Sequence, residues 1–413
     1  MLNKPLDILI FGLQFPEPKS TAAGSRMLQL INLFQDYEYN IHFACSQPKT
    51  NFSTSFNQKS VSEHVIRLND NSVKKLLEKI HPRIVIFDRF ITEEQFGWIV
   101  DETCPHALKI LDTEDLHFLR ENREAVVKKS ITESDLYTLT DKAKREIAAI
   151  YRCDLTLMIS KIEIDILVQK FNVPIDLLVY LPFILKINKQ KYSQLPNYES
   201  RLHFMSIGNF KHSPNLDMVK NLHQHIWPKI KHELPKVEWH IYGAYVPKQI
   251  EELHNPKQGV MVKGRAEEAI ETLQKYKVML APIRFGAGLK GKCIDSFQAG
   301  IPSITTKIGA EGIAGAKMWS GFVKDEIEEF FESAVQLYQD ESLWKDKQEM
   351  GFDVLEQNFD VKIYKHKFKN KIEDSLDALS NIRNQNIVGK LLKHHLHRST
   401  KFMSLWIEEK NKN

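Results

Sequence analysis

Cysteine, long apolar runs and net charge are all scarce in this 413-residue chain. Its cysteines, Cys45, Cys104, Cys153 and Cys293, are far apart and form no C-x-x-C pair, which argues against a zinc ribbon, a redox motif or a disulfide framework. No stretch approaches the ~20 apolar residues that a membrane-spanning helix needs. A formal net charge of +4 indicates no field that would attract nucleic acid. We therefore expect a cytoplasmic protein with no nucleic-acid partner.

Motifs for targeting and for metal binding are also missing. The opening segment has Asp7 near its start and no small-residue cleavage site after its apolar run, so we interpret it as a first β-strand and not as a signal peptide. Neither D-x-D nor H-E-x-x-H occurs, which predicts that the chain holds no metal. We expect no cofactor either.

Short β-branched and aliphatic runs alternate with longer segments of helical period, which predicts βαβ units on parallel sheets. A chain of this length is too long to fold around a single hydrophobic core of ordinary size. The fold class predicted is therefore α/β, with two Rossmann-like, doubly wound domains that bind ligands at the carboxyl ends of their strands. The predicted strands begin near Leu6, Ile41, Ile84, Ala107, Leu155 and Leu177, and then near Arg201, Val237, Val260, Lys277 and Pro302.

The domain limits follow from a polar segment without apolar periodicity, 186–200, which contains Pro196 and is predicted to be a linker. The predicted divisions are a first domain over 1–185, the linker over 186–200, a second domain over 201–356 and a helical tail over 357–413.

The segment 281–300, APIRFGAGLKGKCIDSFQAG, is the most informative part of the chain. A strand is predicted to end at Pro282, and a helix to run from near Leu289 to Gly300. Glycines let backbone N–H groups approach an anion, and a helix N-terminus adds partial positive charge, so this junction predicts a diphosphate site. Asp295 is predicted to accept hydrogen bonds from ribose hydroxyls. The glycines of the loop are Gly286, Gly288 and Gly291, and its cations are Arg284, Lys290 and Lys292.

Two alternatives exist for this loop. A glycine turn with surface lysines would need no ligand. The stretch 286–292 also matches the G-x-x-x-x-G-K core of a P-loop, but Cys293 stands where Ser or Thr would hold Mg²⁺.

The second half of the chain resembles the glycosyltransferase group 1 family, retaining enzymes of the GT-B fold, over residues 201–356. The pieces that carry the resemblance are SIGNFKHSPNLDMVKNLHQHIWPKI, WHIYGAY, RFGAGLKGKCIDSFQAGIPSITT and IGAEGI. The resemblance implies that this second domain binds a nucleotide sugar, with the loop on its diphosphate and Asp295 on its ribose. It extends the predicted donor site to Glu311 of IGAEGI.

The chain departs from the better-known form of the family at two places. Many members carry two glutamates eight residues apart around the loop, where this chain has Ala287 and Asp295. Many also place an Arg and a Lys after the first strand of this domain, where this chain has Asn209, Lys211 and His212. We keep Asn209 and His212 as donor-binding candidates and leave the donor base and sugar open.

In the first half, two segments follow predicted strands. The loop 16–26 contains Gly24, and the resemblance implies that it faces the cleft; a plain turn before a helix explains it equally well. The segment 111–123, LDTEDLHFLRENR, resembles the active-site edge of the family, with His117 and Asp112 as catalytic candidates. Asp115 is predicted to cap a helix that begins near Leu116, and capping with surface ion pairing explains much of this segment.

The resemblance implies transfer of a sugar from a nucleoside-diphosphate sugar to an acceptor glycan, lipid-linked sugar or small molecule. Arg284, Lys292 and the helix N-terminus would stabilise the leaving diphosphate without metal. The alternatives are a sugar-nucleotide epimerase of the same fold and a non-catalytic nucleotide-binding scaffold.

The tail over 387–410 mixes apolar residues with lysines, an arginine and histidines. It could pack on the first domain, or it could lie on an anionic membrane surface and place the protein at the inner face of a membrane. Packing is the favoured interpretation.

Overall fold

The structure is a computed structural model that describes residues 5–56 and 60–411. It contains two parallel sheets flanked by helices, which confirms the predicted pair of Rossmann-like α/β domains. The order of the strands along each sheet reverses next to the first strand of its domain, as in doubly wound folds.

The first sheet has seven strands in the order β3-β2-β1-β4-β5-β6-β7. The elements of this domain are β1 Asp7–Gly12, α1 Ala22–Gln35, β2 Asn40–Cys45, β3 Val61–Val65, α2 Ser72–Ile80, β4 Ile84–Asp88, α3 Arg89–Thr103, β5 Leu108–Asp112, α4 His117–Val127, α5 Asp141–Arg152, β6 Leu155–Met158, α6 Lys161–Phe171 and β7 Leu178–Tyr180.

The central strands are buried on both faces because alternate side chains contact helices on opposite sides. Leu9 and Phe11 of β1 belong to one apolar cluster, whereas Ile8 and Ile10 belong to another. Apolar runs of this kind are typical of parallel strands covered by helices on both sides.

The second sheet has six strands in the order β10-β9-β8-β11-β12-β13. The elements here are β8 Leu202–Ile207, α7 Ser213–Asn221, α8 Trp227–Glu233, β9 Trp239–Tyr242, α9 Lys248–Glu251, β10 Val260–Gly264, α10 Ala269–Leu273, β11 Tyr276–Ala281, α11 Gly291–Gln298, β12 Ser303–Thr305, α12 Lys307–Ala310 and β13 Gly321–Val323. Strands β3 and β13 were not predicted from the sequence. Both lie at sheet edges, and neither is a long apolar run.

Six helices complete the chain and return it to the first domain. They are α13 Ile327–Gln339, α14 Glu341–Asn358, α15 Val361–Asp377, α16 Leu379–Gln385, α17 Ile387–Leu392 and α18 Arg398–Lys410, and a π-helical turn, Lys393–His397, joins the last two. Phe368 and Ile372 of α15 are buried in the core of the first domain. In the segment 186–200, the ring of Tyr192 stacks on Phe352 of α14 with centroids 3.9 Å apart.

No helix within the described ranges is both long enough and apolar enough to cross a membrane.

Candidate active site

A cavity of about 490 Å³ lies between the two domains. Its lining comes from the loops after β1, β4 and β5 of the first sheet and from those after β8, β9 and β11 of the second. The carboxyl edges of both sheets therefore face one cleft, where an α/β fold binds its ligands.

The glycine loop forms the second domain's part of this cleft. Gly286 has φ +153° and Gly288 has φ +60°, which are conformations that L side chains rarely adopt. The loop ends where α11 begins at Gly291, two residues later than the predicted helix start. The backbone N–H groups of the first turn of α11 lie at this edge and favour an anion.

Lys290 and Lys292 bring positive charge to the loop, and both line the cavity. Lys290 Nζ donates to the carbonyl oxygen of Gly288 at 2.9 Å and lies 3.9 Å from Glu311 Oε2. Lys292 Nζ donates to Asn215 Oδ1 at 2.5 Å and lies 3.6 Å from Met218 Sδ. No carboxylate of the described residues pairs with Lys292. Burial lowers its pKa to about 8, so the site favours an anionic ligand that would restore the charged form.

Asp295 lies in the second turn of α11 and also lines the cavity. Burial raises the pKa of its carboxyl to about 7. The one hydrogen bond that this carboxyl makes within the described residues is a long one, 3.5 Å from Gln298 Nε2 to Asp295 Oδ1. The carboxylate is therefore free to accept hydrogen bonds from ligand hydroxyls.

On the first domain, Asp88 and Asp112 end neighbouring strands and are paired in register. Asp112 is completely buried, and Arg26 Nη2 lies 3.5 Å from Asp112 Oδ1. Burial raises the pKa of Asp112, although Arg26 opposes the shift. Asp112 does not line the cavity.

The residues that follow these strands do reach the cavity. Arg89 and Glu114 both line it, and both have left-handed backbones, with φ +70° and φ +66°. Strain of this kind in non-glycine residues tends to collect at functional sites. Glu114 Oε1 is buried without a hydrogen-bond partner among the described residues, and burial raises the pKa of Glu114 well above its usual range. The carboxyl group can therefore bond to a ligand hydroxyl.

His117 forms a small network with Asp115 and Arg120 at the same edge. Its Nε2 lies 3.3 Å from Asp115 Oδ1, and Arg120 Nη1 donates to Asp115 Oδ2 at 2.5 Å. Burial lowers the pKa of His117 to about 4, so the imidazole is neutral at neutral pH. Because Asp115 orients the ring, a neutral His117 can exchange hydrogen bonds with a sugar but cannot supply a full positive charge.

The predicted capping of α4 by Asp115 is wrong. The helix begins at His117, and its N-cap residue Leu116 makes no side-chain cap. Two carboxylates from distant helices accept the free N–H groups instead. Glu146 accepts from the backbone of His117 at 2.9 Å and of Phe118 at 2.7 Å, and Glu163 accepts from the backbone of Leu116 at 3.0 Å.

The two halves of the site touch each other. Glu163 Oε1 of the first domain also accepts from the backbone N–H of Gly288 at 2.9 Å. A Cβ added to Gly288 would lie 2.8 Å from the Cβ of Asp115. Arg123 donates to the Gly286 carbonyl oxygen at 2.7 Å and pairs with both oxygens of Glu311 at 2.6 and 2.7 Å. The glycine loop is thus held against the helix that carries His117.

Eight of the twelve predicted site residues line the cavity: His117, Asn209, His212, Gly286, Gly288, Lys290, Lys292 and Asp295. Asn209 Nδ2 donates to the Ser20 carbonyl oxygen across the cleft at 3.2 Å. Burial lowers the pKa of His212.

Asp112, Arg284, Glu311 and Gly24 do not line the cavity. Arg284 forms an ion pair with Asp217 and is about half exposed, and Glu311 is engaged by Arg123. A Cβ on Gly24 would lie 2.5 Å from the backbone of Glu17, so this glycine allows α1 to pack on the preceding turn.

Sequence reasoning missed Arg89, Glu114 and Asn215, which also line the cavity. Arg89 directly follows the apolar run of β4, so the strand-end rule that selected Asp112 could have found it. Glu114 lies inside a segment already selected. No sequence motif marks Asn215 as a site residue, because its place beside Lys292 depends on the packing of α7 against α11.

Among the described residues, His203, Glu238 and His240 could hold a metal ion, since one ligand atom from each lies within 4.8 Å of the others. They lie near the amino ends of β8 and β9, away from the cleft. His203 Nδ1 accepts a hydrogen bond from the Glu238 backbone at 3.2 Å, which leaves the ring proton of neutral His203 on Nε2. The nitrogen that faces the group is then a donor and not a metal ligand.

Comparison with solved structures identifies the fold that these two domains form together. Sucrose-phosphate synthase from Thermosynechococcus elongatus is 10% identical over 90% of this chain and 100% of its own, with a TM-score of 0.66. HepE from Anabaena, in complex with UDP and glucose, is 14% identical over 89% of this chain and 99% of its own, with a TM-score of 0.63. TarM from S. aureus, in complex with fondaparinux, alpha-GlcNAc-glycerol and UDP, is 16% identical over 73% of this chain, with a TM-score of 0.56. The chain spans only 58% of TarM. These likenesses define a GT-B fold.

A sequence match to a known family is found in the second domain. Residues 201–340 match the sequence profile described as Glycosyl transferases group 1. A search of curated protein sequences finds no match. The profile match confirms the resemblance of the second domain to group 1 glycosyltransferases that is seen in its sequence, and the solved structures show the same fold over both domains.

Proposed function

We propose that the protein transfers a sugar from a nucleoside-diphosphate sugar to a hydroxyl acceptor, with retention of configuration and without a metal ion. The observation that carries the proposal is Lys292, a half-buried cation at the glycine loop whose described partners are the neutral Asn215 and Met218. Holding a desolvated ammonium without a counter-ion is unfavourable, and an anionic ligand removes that cost.

A diphosphate suits this position better than a single carboxylate does. The loop offers the N–H groups at the start of α11 together with Lys290 and Lys292, which is a distributed set of donors and charge. The same groups would stabilise the negative charge that develops on the diphosphate as it leaves.

Asp295 supports a nucleotide in particular. It lies one turn further along α11 than the loop, and its carboxyl faces the cavity with little local bonding. Its place relative to the loop fits a ribose attached to a diphosphate that the loop holds. HepE and TarM were each solved with UDP, so UDP is the first nucleotide to test.

The first domain supplies the acceptor side of the cleft. His117 and Glu114 both reach the cavity, and both present polar groups that can bond to hydroxyls. In the proposed reaction the bond between the anomeric carbon and the phosphate oxygen breaks. The acceptor oxygen forms a bond to the same face of that carbon, and its proton passes to the departing phosphate oxygen.

The proposed acceptor is a glycan, a lipid-linked sugar or a small molecule. We test the function with the full chain, a panel of nucleoside-diphosphate sugars and mixed glycan acceptors in the presence of a chelator. A glycosylated product with retained configuration supports the proposal. Interconversion of the sugar without an acceptor would identify an epimerase, and nucleotide binding with no turnover of any donor would identify a scaffold.

A further inference from the structure

A stripe of apolar side chains runs along the outer face of the last helices. Ile387 and Leu391 of α17 lie four residues apart, as do Phe402 and Trp406 of α18, so each helix places its pair on one side. Their exposed fractions are 66%, 59%, 65% and 60%. Val388, Met403 and Leu405 are exposed beside them. We call these seven residues the tail stripe.

The opposite face of the same helices is fixed to the first domain. Lys401 pairs with Glu102 of α3, and Asn386 donates to the Tyr151 carbonyl oxygen of α5 at 2.7 Å. A Cβ on Gly389 would lie 2.2 Å from that same oxygen, so α17 packs closely there. The tail stripe is therefore held outward by a docked helix, and packing on the first domain does not bury it.

Positive side chains border the stripe. Lys390, Arg398 and Lys410 are exposed on the same helices, together with the imidazoles of His394 and His395. The segment 387–411 carries five Lys and Arg residues against two Glu residues. An exposed apolar band that contains Trp and Phe and is bordered by cations matches helices that lie in the plane of an anionic membrane surface.

We propose that the tail stripe binds the surface of an anionic lipid membrane, with the helix axis parallel to the bilayer plane. Aromatic rings such as those of Phe402 and Trp406 enter the interface, and the basic side chains contact the lipid phosphates. This proposal does not depend on the glycosyltransferase activity, because it rests on a surface that the cleft does not use.

The direction of α18 brings this surface toward the cleft. Lys401 contacts Glu102 near the end of α3, whereas Ser404 lies with Gln95 and Phe96 around a groove on the same helix. Because α3 begins at Arg89 in the cleft wall, the last turns of α18 approach the cleft side of the first domain. A membrane on the stripe would then lie near the acceptor side of the cavity.

Trp406 makes the proposal directly measurable. The other five tryptophans, Trp98, Trp227, Trp239, Trp319 and Trp344, are all buried. Acrylamide quenching of the full chain therefore reports mainly on Trp406. With vesicles of phosphatidylcholine and phosphatidylglycerol, we expect a blue shift of the emission and at least a twofold loss of quenching. Trp406→Phe should remove both signals.

Sedimentation with the same vesicles measures the affinity. The double variant Phe402→Ser with Trp406→Ser should bind at least about tenfold more weakly. Each substitution removes the favourable free energy of moving an aromatic ring from water into the membrane interface. Arg398→Glu should weaken binding and its dependence on anionic lipid. Ile175→Ser removes an equally exposed apolar side chain elsewhere on the first domain and should leave binding unchanged.

Three results would overturn the proposal. The first is equal binding to vesicles of phosphatidylcholine alone. The second is unchanged vesicle binding by the double variant. The third is light scattering that shows a dimer in the wild type and a monomer in the double variant, which would assign the stripe to a second copy of the chain. The changed side chains are exposed, so circular dichroism should show the same fold in every variant.

Discussion

Replacing Lys292 by Met should weaken donor binding and catalysis while making the unliganded protein more stable. The side chain is half-buried, and its described contacts are Asn215 Oδ1 at 2.5 Å and Met218 Sδ at 3.6 Å. Met keeps much of the length of the aliphatic stem and removes the charge together with the hydrogen bond to Asn215. The same change should therefore have opposite effects on function and on the free energy of unfolding.

The size of the stability effect follows from the pKa. Burial lowers the pKa of Lys292 to about 8, whereas an unfolded lysine titrates near 10.4. At pH 7 both states are protonated, and this difference corresponds to a cost of about 3 kcal/mol in the folded state. The variant also loses the hydrogen bond to Asn215, which destabilises its folded state by about 1 kcal/mol. We expect Lys292→Met to gain about 2 kcal/mol.

The pH dependence has a definite sign. Between pH 8 and about 10.4 the unfolded chain binds more protons at this position than the folded chain, so wild-type stability rises with pH in that window. The gain of Lys292→Met over the wild type should therefore shrink across it. Urea unfolding of the unliganded proteins at pH 7 and at pH 9.5 measures both values.

The rate of donor turnover should fall in Lys292→Met, although the stability of the unliganded protein rises. Removing one preorganised donor to a developing oxyanion costs about a hundredfold or more in rate. Lys345→Ala is the matched control, because that lysine is exposed on α14 and pairs with Glu341. Near-normal transfer by Lys292→Met, or a loss of stability without donor, would refute the reasoning.

Three further changes test other parts of the site. Asp295→Asn should remove the fall in donor affinity that we expect as the pH drops below about 7, where burial places the pKa of this carboxyl; calorimetric titration of UDP against pH measures it. Gly288→Ala should reduce activity at least about tenfold, because its Cβ would meet Asp115 at 2.8 Å, whereas Gly264→Ala has the same left-handed strain with nothing within 4 Å and should keep activity. Arg123→Met should cost about 2 kcal/mol in urea unfolding, since it breaks the charged contacts that join the domains; unchanged stability would contradict this.

Local signals in the sequence are sufficient to predict the glycine loop and the central strands of both sheets. Gly286 and Gly288 directly follow a predicted strand, and Asp295 follows them by one turn of the next helix. All three line the cavity in the structure. The central strands were recognisable because each is an apolar run. Strand β3 was not, since VSEHV at a sheet edge has little apolar character.

Contacts between residues far apart in the sequence cannot be predicted from local sequence signals. The N–H groups at the start of α4 bond to Glu146 and Glu163, which lie on α5 and α6, so a local capping rule selected Asp115 wrongly. Arg123 and Glu311 are separated by 188 residues along the chain and meet across the two domains. The place of Arg284 beside the loop predicts a phosphate ligand, but the side chain pairs with Asp217, and only the packing of α7 brings that partner near.

Thermal stabilisation by nucleotides in a chelating buffer tests the central claim most directly. We would compare UDP, GDP, ADP, CMP, ATP and NAD on the wild type, Lys292→Met and Lys345→Ala. The account predicts that one nucleoside diphosphate stabilises the wild type and Lys345→Ala by about 2.7 kcal/mol at about a hundred times its dissociation constant, with most of that gain lost in Lys292→Met. Stabilisation only by NAD, only by ATP after Mg²⁺ is restored, or equally in all three proteins would contradict it.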